Sequence, residues 1–220
     1  MPTCYTIQIQ NQSGNQQRYL MFSQPPSVTG GRVQGQVWPT VFADQSTPPG
    51  AQAILSVSSL YYGVVGRSQG VPGSDVMVYL SQKLPVILGQ TTLVSKIMDG
   101  KPSFDGPPQP NGGSQGAFQV RTGNNFTVEK ARQSNYLVGL GMSEENGYSG
   151  PAAVFIPEPN TSYQIQPSNT LVLTTGSQAK GSMIDSSRLG GSKISINLTP
   201  GKSNFVIVHD SDGSFNVQDS

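Results

Sequence analysis

Charge is scarce in this chain. Only 11% of its 220 residues are Asp, Glu, Lys or Arg, less than half the ~25% typical of soluble domains. The 13 basic and 12 acidic residues nearly cancel, leaving a formal net charge of +1. Copies of such a protein repel one another weakly, so the composition favours close self-association. It disfavours nucleic acid, whose binders present clustered Lys and Arg; no such cluster occurs here.

Cysteine and histidine are scarcer still, with one of each. Cys4 alone excludes an intrachain disulfide, and it cannot complete a zinc ligand set with His209. Any hydrolytic triad would have to use His209 as its base. No apolar run approaches the ~18 residues of a membrane-spanning helix, so no membrane partner is expected. The opening MPTCYTIQIQNQSG has neither a basic start nor an apolar stretch. That argues against a conventional secretory signal and for an intracellular protein. Triplets of the form N-x-[ST] at Asn11, Asn125, Asn160 and Asn197 are expected by chance in a chain so rich in Asn, Ser and Thr.

Glycine and proline are plentiful instead, at 26 and 17 residues, and they cut the chain into short apolar runs. Residues 134–176 show the pattern best. Runs at 136–140, 152–156, 163–166 and 171–174 are each ended by Gly, Pro, Asn or Ser. Leu171 and Leu173 alternate with Val172 and Thr174, and Tyr163 and Ile165 with Gln164 and Gln166, the period-two pleat of a strand. Pro157, Pro159 and Pro167 deny this stretch a helix interior. A meander of antiparallel strands is expected.

Elsewhere, Tyr5, Ile7 and Ile9 alternate with Thr6, Gln8 and Gln10 and predict a first strand. Residues 18–22 read as its hairpin partner across Ser13-Gly14, and 36–42, with the only tryptophan, Trp38, as a weaker strand. Runs 51–57 and 60–65 predict a hairpin through Ser58-Ser59, 75–80 a further strand, and 84–88 with 92–98 the next pair. Residues 99–116, DGKPSFDGPPQPNGGSQG, read as an exposed loop, after which 118–120 resumes strand character. One short helix is expected at 127–133, with Thr127 or Asn125 as its cap, Glu129 in its first turn and Arg132 near its end. Strands at 193–198, 204–208 and 214–217 close the sheet. With no fixed-period repeat and turn signals every ~8–12 residues, the fold class is all-β: a single-domain antiparallel β-sandwich over residues 1–220.

Each patch of candidate chemistry has a plainer structural reading beside it. His209 lies in Val208-His209-Asp210-Ser211-Asp212-Gly213, which lacks the regular acidic spacing and terminal Glu of a calcium-binding hand. Asp and Gly are in their usual turn positions, so a hairpin turn is expected. Glu144 and Glu145 are neighbours, and neighbours in a strand point to opposite faces. Glycosidase chemistry needs two carboxyls ~5–9.5 Å apart across a cleft, so these two read as solvated. Neither Gly139-x-Gly141 nor Gly63-x-x-Gly66 opens a helix, which phosphate cradling would require. Cys4 is either a small buried hydrophobe or the candidate for an intermolecular disulfide, with no activating His or Lys/Arg cluster near it in sequence. Trp38, Tyr61 and Tyr62, beside amide-rich loops, are the ligand-binding candidates for a sugar; they are also ordinary sheet residues whose polar tips reach water.

The opening Tyr5-Thr6-Ile7-Gln8-Ile9-Gln10-Asn11-Gln12-Ser13-Gly14, with Tyr19-Leu20-Met21-Phe22 and Pro25-Pro26, resembles a family of small fungal and bacterial β-rich proteins without assigned activity. Residues 126–141 and 159–166 extend the likeness over most of the chain. The resemblance reaches the octahedral-crystal proteins (octins) of zygomycete fungi, which form vacuolar crystals used in gravity sensing. It implies a structural, self-assembling role in a vacuole and no catalytic residues to carry over. The expected function is therefore a non-enzymatic structural protein that self-associates into ordered intracellular assemblies or crystals. Its partner would be itself, with no cofactor and no metal. The alternative is a lectin-like module binding glycans at Trp38, Tyr61 or Tyr62; a hydrolase using His209 with Asp210 or Asp212 ranks third.

Overall fold

A computed structural model describes residues 3–145 and 147–218. In chain order its strands begin β1 (Cys4–Asn11), β2 (Gln17–Ser23), β3 (Ser27–Thr29), β4 (Gln34–Pro39), β5 (Ala43–Thr47) and β6 (Gln52–Ser68). Next come β7 (Val78–Val86), β8 (Thr92–Met98), β9 (Lys101–Phe104), β10 (Phe118–Thr122) and the helix α1 (Val128–Gln133). The rest are β11 (Tyr136–Glu144), β12 (Gly147–Ile156), β13 (Ser162–Gln166), β14 (Thr170–Thr175), β15 (Lys193–Asn197), β16 (Asn204–His209) and β17 (Phe215–Gln218). The chain is all-β apart from that helix, as the sequence predicts.

Three sheets form among the described residues. The largest runs β17-β16-β1-β6-β11-β12-β4, with β7 also paired to β6; the others run β3-β13-β10-β8-β9 and β15-β14-β2-β5. The main core takes Ile7, Leu55, Val138, Phe155 and Ile207 from the large sheet. Facing them are Leu93, Phe118 and Tyr163 of the five-stranded sheet and Tyr19, Met21, Leu171 and Leu173 of the four-stranded one. One layer of the sandwich is thus the large sheet, and the two smaller sheets share the other. Burying each such aliphatic or aromatic side chain contributes about 1.5–3 kcal/mol.

Several local expectations give way to this arrangement. The expected β1–β2 hairpin does not form, because both edges of β1 are taken, by β6 antiparallel and by β16 parallel. Strand β2 crosses to the facing sheet, between β5 and β14. Asn11, buried to 1% exposure, holds that corner. Its Nδ2 donates to the carbonyls of Asn15, Thr47 and Pro48 at 2.9–3.0 Å, and its Oδ1 accepts from the Ser13 hydroxyl at 2.7 Å.

The hairpin expected at Ser58-Ser59 is absent too. A two-residue hairpin turn needs positive φ, which neither serine adopts. β6 instead continues for 17 residues, with a register shift against β11 that absorbs Ser59 and Leu60 as a bulge. Residues 78–86 form one strand against β6, while β8 joins β9 and β10 in another sheet. The loop 99–116 accordingly contains a strand. The expected meander holds for β11 and β12 only, since β13 and β14 enter the two smaller sheets. The antiparallel reading also needs correcting at two pairs, β1–β16 and β8–β10, which are parallel.

The helix sits where it was expected. Thr127 caps it, its hydroxyl accepting from the Lys130 amide at 3.1 Å, and Ala131 is its buried face. The mid-strand glycines mark close approaches. A Cβ on Gly139 would lie 2.0 Å from the Ala153 carbonyl oxygen and 2.8 Å from the Val154 Cα. Backbone on a paired strand cannot yield as a side chain can. Gly139→Ala is expected to destabilise the protein by about 1–3 kcal/mol, whereas Gly70→Ala, whose Cβ meets nothing within 4 Å, should leave stability within ~0.5 kcal/mol. Urea midpoints of the two variants check this.

Candidate functional site

The two halves of the large sheet have different outer faces. Over β6, β11, β12 and β4 the outer face is covered. Val64, Leu137, Val154 and Met183 form a second apolar cluster there, with Trp38, Tyr62, Val76 and Leu80 packed against it. Strand β11 is buried along almost its whole length as a result.

Over β17, β16, β1 and β6 no second apolar cluster covers the outer face among the described residues, although Val208 is buried there and Gln52, Ile54 and Asn216 are exposed. Ile7, Ile9, Leu55 and Ile207 point into the core, so the pleat turns their neighbours outward. Gln8 lies between Val206 and Ile54, Gln10 between Val208 and Gln52, and Thr6 between Asn204 and Ser56. Gln218 and Asn216 extend the rows opposite Val206 and Val208. None of these side chains carries a charge. Gln52 Nε2 donates to Gln8 Oε1 at 3.1 Å, and Ile54 is 56% exposed between them. Cys4, two residues before Thr6, lies at the corner of this face and is half-buried. Burial, then the charge of Glu145, pushes its thiol up, so at neutral pH it remains protonated and is a slow nucleophile.

The three aromatic candidates are not brought together. Tyr61 and Tyr62 are adjacent in β6 and point to opposite faces. Tyr61 packs against the main core, where burial raises its phenol. Tyr62 lies on the second cluster, with the Lys83 ammonium 6.0 Å from its ring centroid. Trp38 alone lines an open groove of about 590 Å³, with Ile156 and Val71 as further apolar walls and Gln34, Gln36 and Arg132 among the polar ones. Edge strand β4 brings Trp38 beside Val154 and Gln34 beside Ile156. Arg132, at the end of α1, donates to Gln34 Oε1, and Gln34 Nε2 donates on to the Glu158 carboxylate. Sequence reading treats Arg132 only as a helix-end charge and passes over Gln34 and Val71. No local signal unites them, because the groove's walls come from four separated segments.

His209 ends β16 and is 4% exposed. The Tyr19 hydroxyl lies 3.1 Å from its Nδ1, and Phe215 stacks on the ring at 4.4 Å. The residues after it make the expected hairpin turn: the Asp210 amide donates to the Ser214 carbonyl at 2.9 Å, and the Gly213 amide donates back to Asp210. Both carboxylates serve the turn, Asp210 accepting from Asn216 at 2.7 Å and Asp212 from the Ser214 amide at 2.9 Å. Glu144 pairs with Lys180 at 3.0 Å, and Glu145 is exposed. Among the described residues no three of His, Cys, Asp and Glu gather as a metal-binding group, and no helix is long and apolar enough to cross a membrane.

A family model described as RhiA matches residues 2–220, and the chain belongs to the RhiA family. No curated protein and no solved structure matches it.

Burial pushes the His209 imidazole below its ordinary 6.5, against the opposing pull of Asp210 and Asp212. The unfolded chain therefore takes up this proton first as pH falls. The stability from keeping the ring neutral is present above the unfolded value and is lost on acidification below it. Because this is the only histidine, wild-type urea midpoints should fall between pH ~7.5 and ~5.5, and His209→Gln should flatten that slope. An equal slope in both proteins would show that another group is responsible.

Proposed function

We propose that this member of the RhiA family is a non-catalytic structural protein that self-associates through the outer face of β17, β16, β1 and β6. One observation carries the reading: a sheet face whose central rows are amide, hydroxyl and aliphatic side chains, with charged residues at its margins, where the Asp210 carboxylate accepts from Asn216 and the Glu145 amide donates to Ser56. Each Gln and Asn amide offers both donors and acceptors. Two copies related by a two-fold axis therefore present matching groups to one another, as an isologous contact requires. Ile54 and Val206 supply apolar area near the middle, and the formal net charge of +1 leaves little repulsion to overcome.

The finer form of the reading is an ordered intracellular assembly or crystal, of the kind octahedral-crystal proteins of zygomycete fungi make in vacuoles. Supporting it is the opening segment, which resembles the small β-rich family that includes those proteins and whose Thr6, Gln8 and Gln10 lie on this face. The buried, turn-bound surroundings of His209 favour a role without catalysis or cofactor. Cys4 at the corner of the face is the point where an oxidised dimer would be bridged.

Sedimentation over a concentration series tests the reading. The wild-type chain should pass from monomer to dimer as concentration rises, and larger particles, which need a further contact beyond the isologous one, should form from those dimers. Gln8→Lys with Gln52→Lys sets like charges at the centre of the face, while exposed substitutions of this kind leave folding within ~0.5 kcal/mol. The double variant should need at least about tenfold more protein to associate, a change of ~1.4 kcal/mol. A wild-type protein that stays monomeric throughout overturns the reading. Assemblies that dissolve with reductant, or in Cys4→Ser, would place the contact at the disulfide rather than the face.

A further inference from the structure

We propose that the groove at the β4 edge is a binding site for a neutral, hydroxylated sugar ring, with Trp38 as its stacking platform. The groove lies over the covered half of the large sheet, so this site and the assembly face are separate, and neither depends on the other.

Three features define the ligand. The first is a fixed aromatic surface. Trp38 is half-buried, packed against the second cluster and held beside Val154 by the β4–β12 pairing. An indole already ordered by packing loses little freedom when a ring lies against it, which is the economy of preorganised binding. The apolar C–H face of a pyranose suits such a surface.

The second is apolar wall that water would otherwise cover. Val71 is 82% exposed, yet it borders the same groove as Ile156 and Trp38. Three apolar groups lining one concavity of about 590 Å³ match the ~300–1,000 Å³ range and mixed lining of small-molecule sites.

The third is the charge balance of the rim. Arg132 is the cation at the groove, and its guanidinium leads through Gln34 to the Glu158 carboxylate. Glu158, one neutral amide away from Arg132, offsets part of that charge and so reduces the attraction for a phosphate or carboxylate ligand. What the rim supplies is short-range hydrogen bonding, from the Gln36 and Asn135 amides and the remaining Arg132 donors. Hydroxyl groups, each both donor and acceptor, complement that set.

Trp38 is the only tryptophan, so its emission reports on the groove directly. The full chain should be titrated with neutral sugars (glucose, galactose, mannose, N-acetylglucosamine and their short β-linked oligomers) and with glucuronate as an anionic control. Saturation-transfer NMR gives a second readout independent of fluorescence. A neutral sugar should shift the emission saturably, and glucuronate should bind at least about tenfold more weakly. Trp38→Ala should weaken binding at least tenfold by NMR. Val71→Lys, at an exposed position that cannot disturb the core, should do the same if the tryptophan variant fails to fold. The proposal is overturned if no neutral sugar binds, if glucuronate binds as well or better, or if binding survives Val71→Lys unchanged.

Discussion

One strand has to satisfy two half-sheets at once, and the architecture depends on its doing so. The first half of β6 pairs with β1, and its second half lies between β11 and β7. Because the strand is continuous, its pleat carries one set of side chains toward the core along its length. Ala53, Leu55 and Val57 point inward on one side of the bulge and Tyr61 and Val65 on the other. The bulge at Ser59 and Leu60 bends the strand without reversing those faces. A true hairpin there would have folded the large sheet back on itself and left the smaller sheets without a common partner. Local turn propensity yields to this wider pairing, as strand propensity generally does.

The first and last strands lie in the same sheet. The N-terminal β1 is enclosed by β6 and by β16, near the C-terminus, and the parallel β1–β16 pair is tied at its far end by Asn11 and His209, which are register partners. Both residues are polar and buried; the Asn11 side chain makes five hydrogen bonds, and His209 Nδ1 is met by the Tyr19 hydroxyl. A buried polar group left unpaired costs ~1–3 kcal/mol, so this end of the sheet has little tolerance for substitution. The same burial makes Asn11 unsuitable as a glycan acceptor in the folded protein, despite its triplet.

Much of this was legible from residue order, and the remainder was not for definable reasons. Period-two alternation marks β1 and β13 because each has one face on a core, whereas β14 buries both faces, Leu171 and Leu173 in the main core and Val172 in a separate cluster. The cap at Thr127 was legible because it depends on residues three apart. Pairing was the weak point. Nothing in Tyr19-Leu20-Met21-Phe22 says that β1 already has two partners, and nothing around Thr92 says that β8 belongs to another sheet. The candidate groove was read in part. Trp38 stands out in the sequence as an aromatic beside amides, but so do Tyr61 and Tyr62, which lie elsewhere. Adjacent residues in a strand cannot share one platform, and that geometric rule alone would have separated them. Arg132 and Val71 carry no signal until the chain is folded.

The distribution of the few charges and prolines bears on what kind of association this fold permits. Sheet edges are the usual route to uncontrolled aggregation, because unpaired backbone groups accept any extended segment. Here the edges are short or interrupted. β3 has three residues, and β9 has four, among them Lys101 and Pro102. β7 carries Lys83 and Pro85, β15 begins with Lys193, and β4 contains Gly35 and ends at Pro39. Lysine resists stacking edge to edge, and proline lacks the amide that continued pairing needs. The face of β17, β16, β1 and β6 has no such guard. Lysine and proline disfavour strand addition at these edges, whereas β5 and β17, the end strands of two of the sheets, carry neither and are only five and four residues long. Strand addition propagates with any extended partner, whereas a face contact requires a folded copy in one register. That difference separates an ordered lattice from a fibrous aggregate.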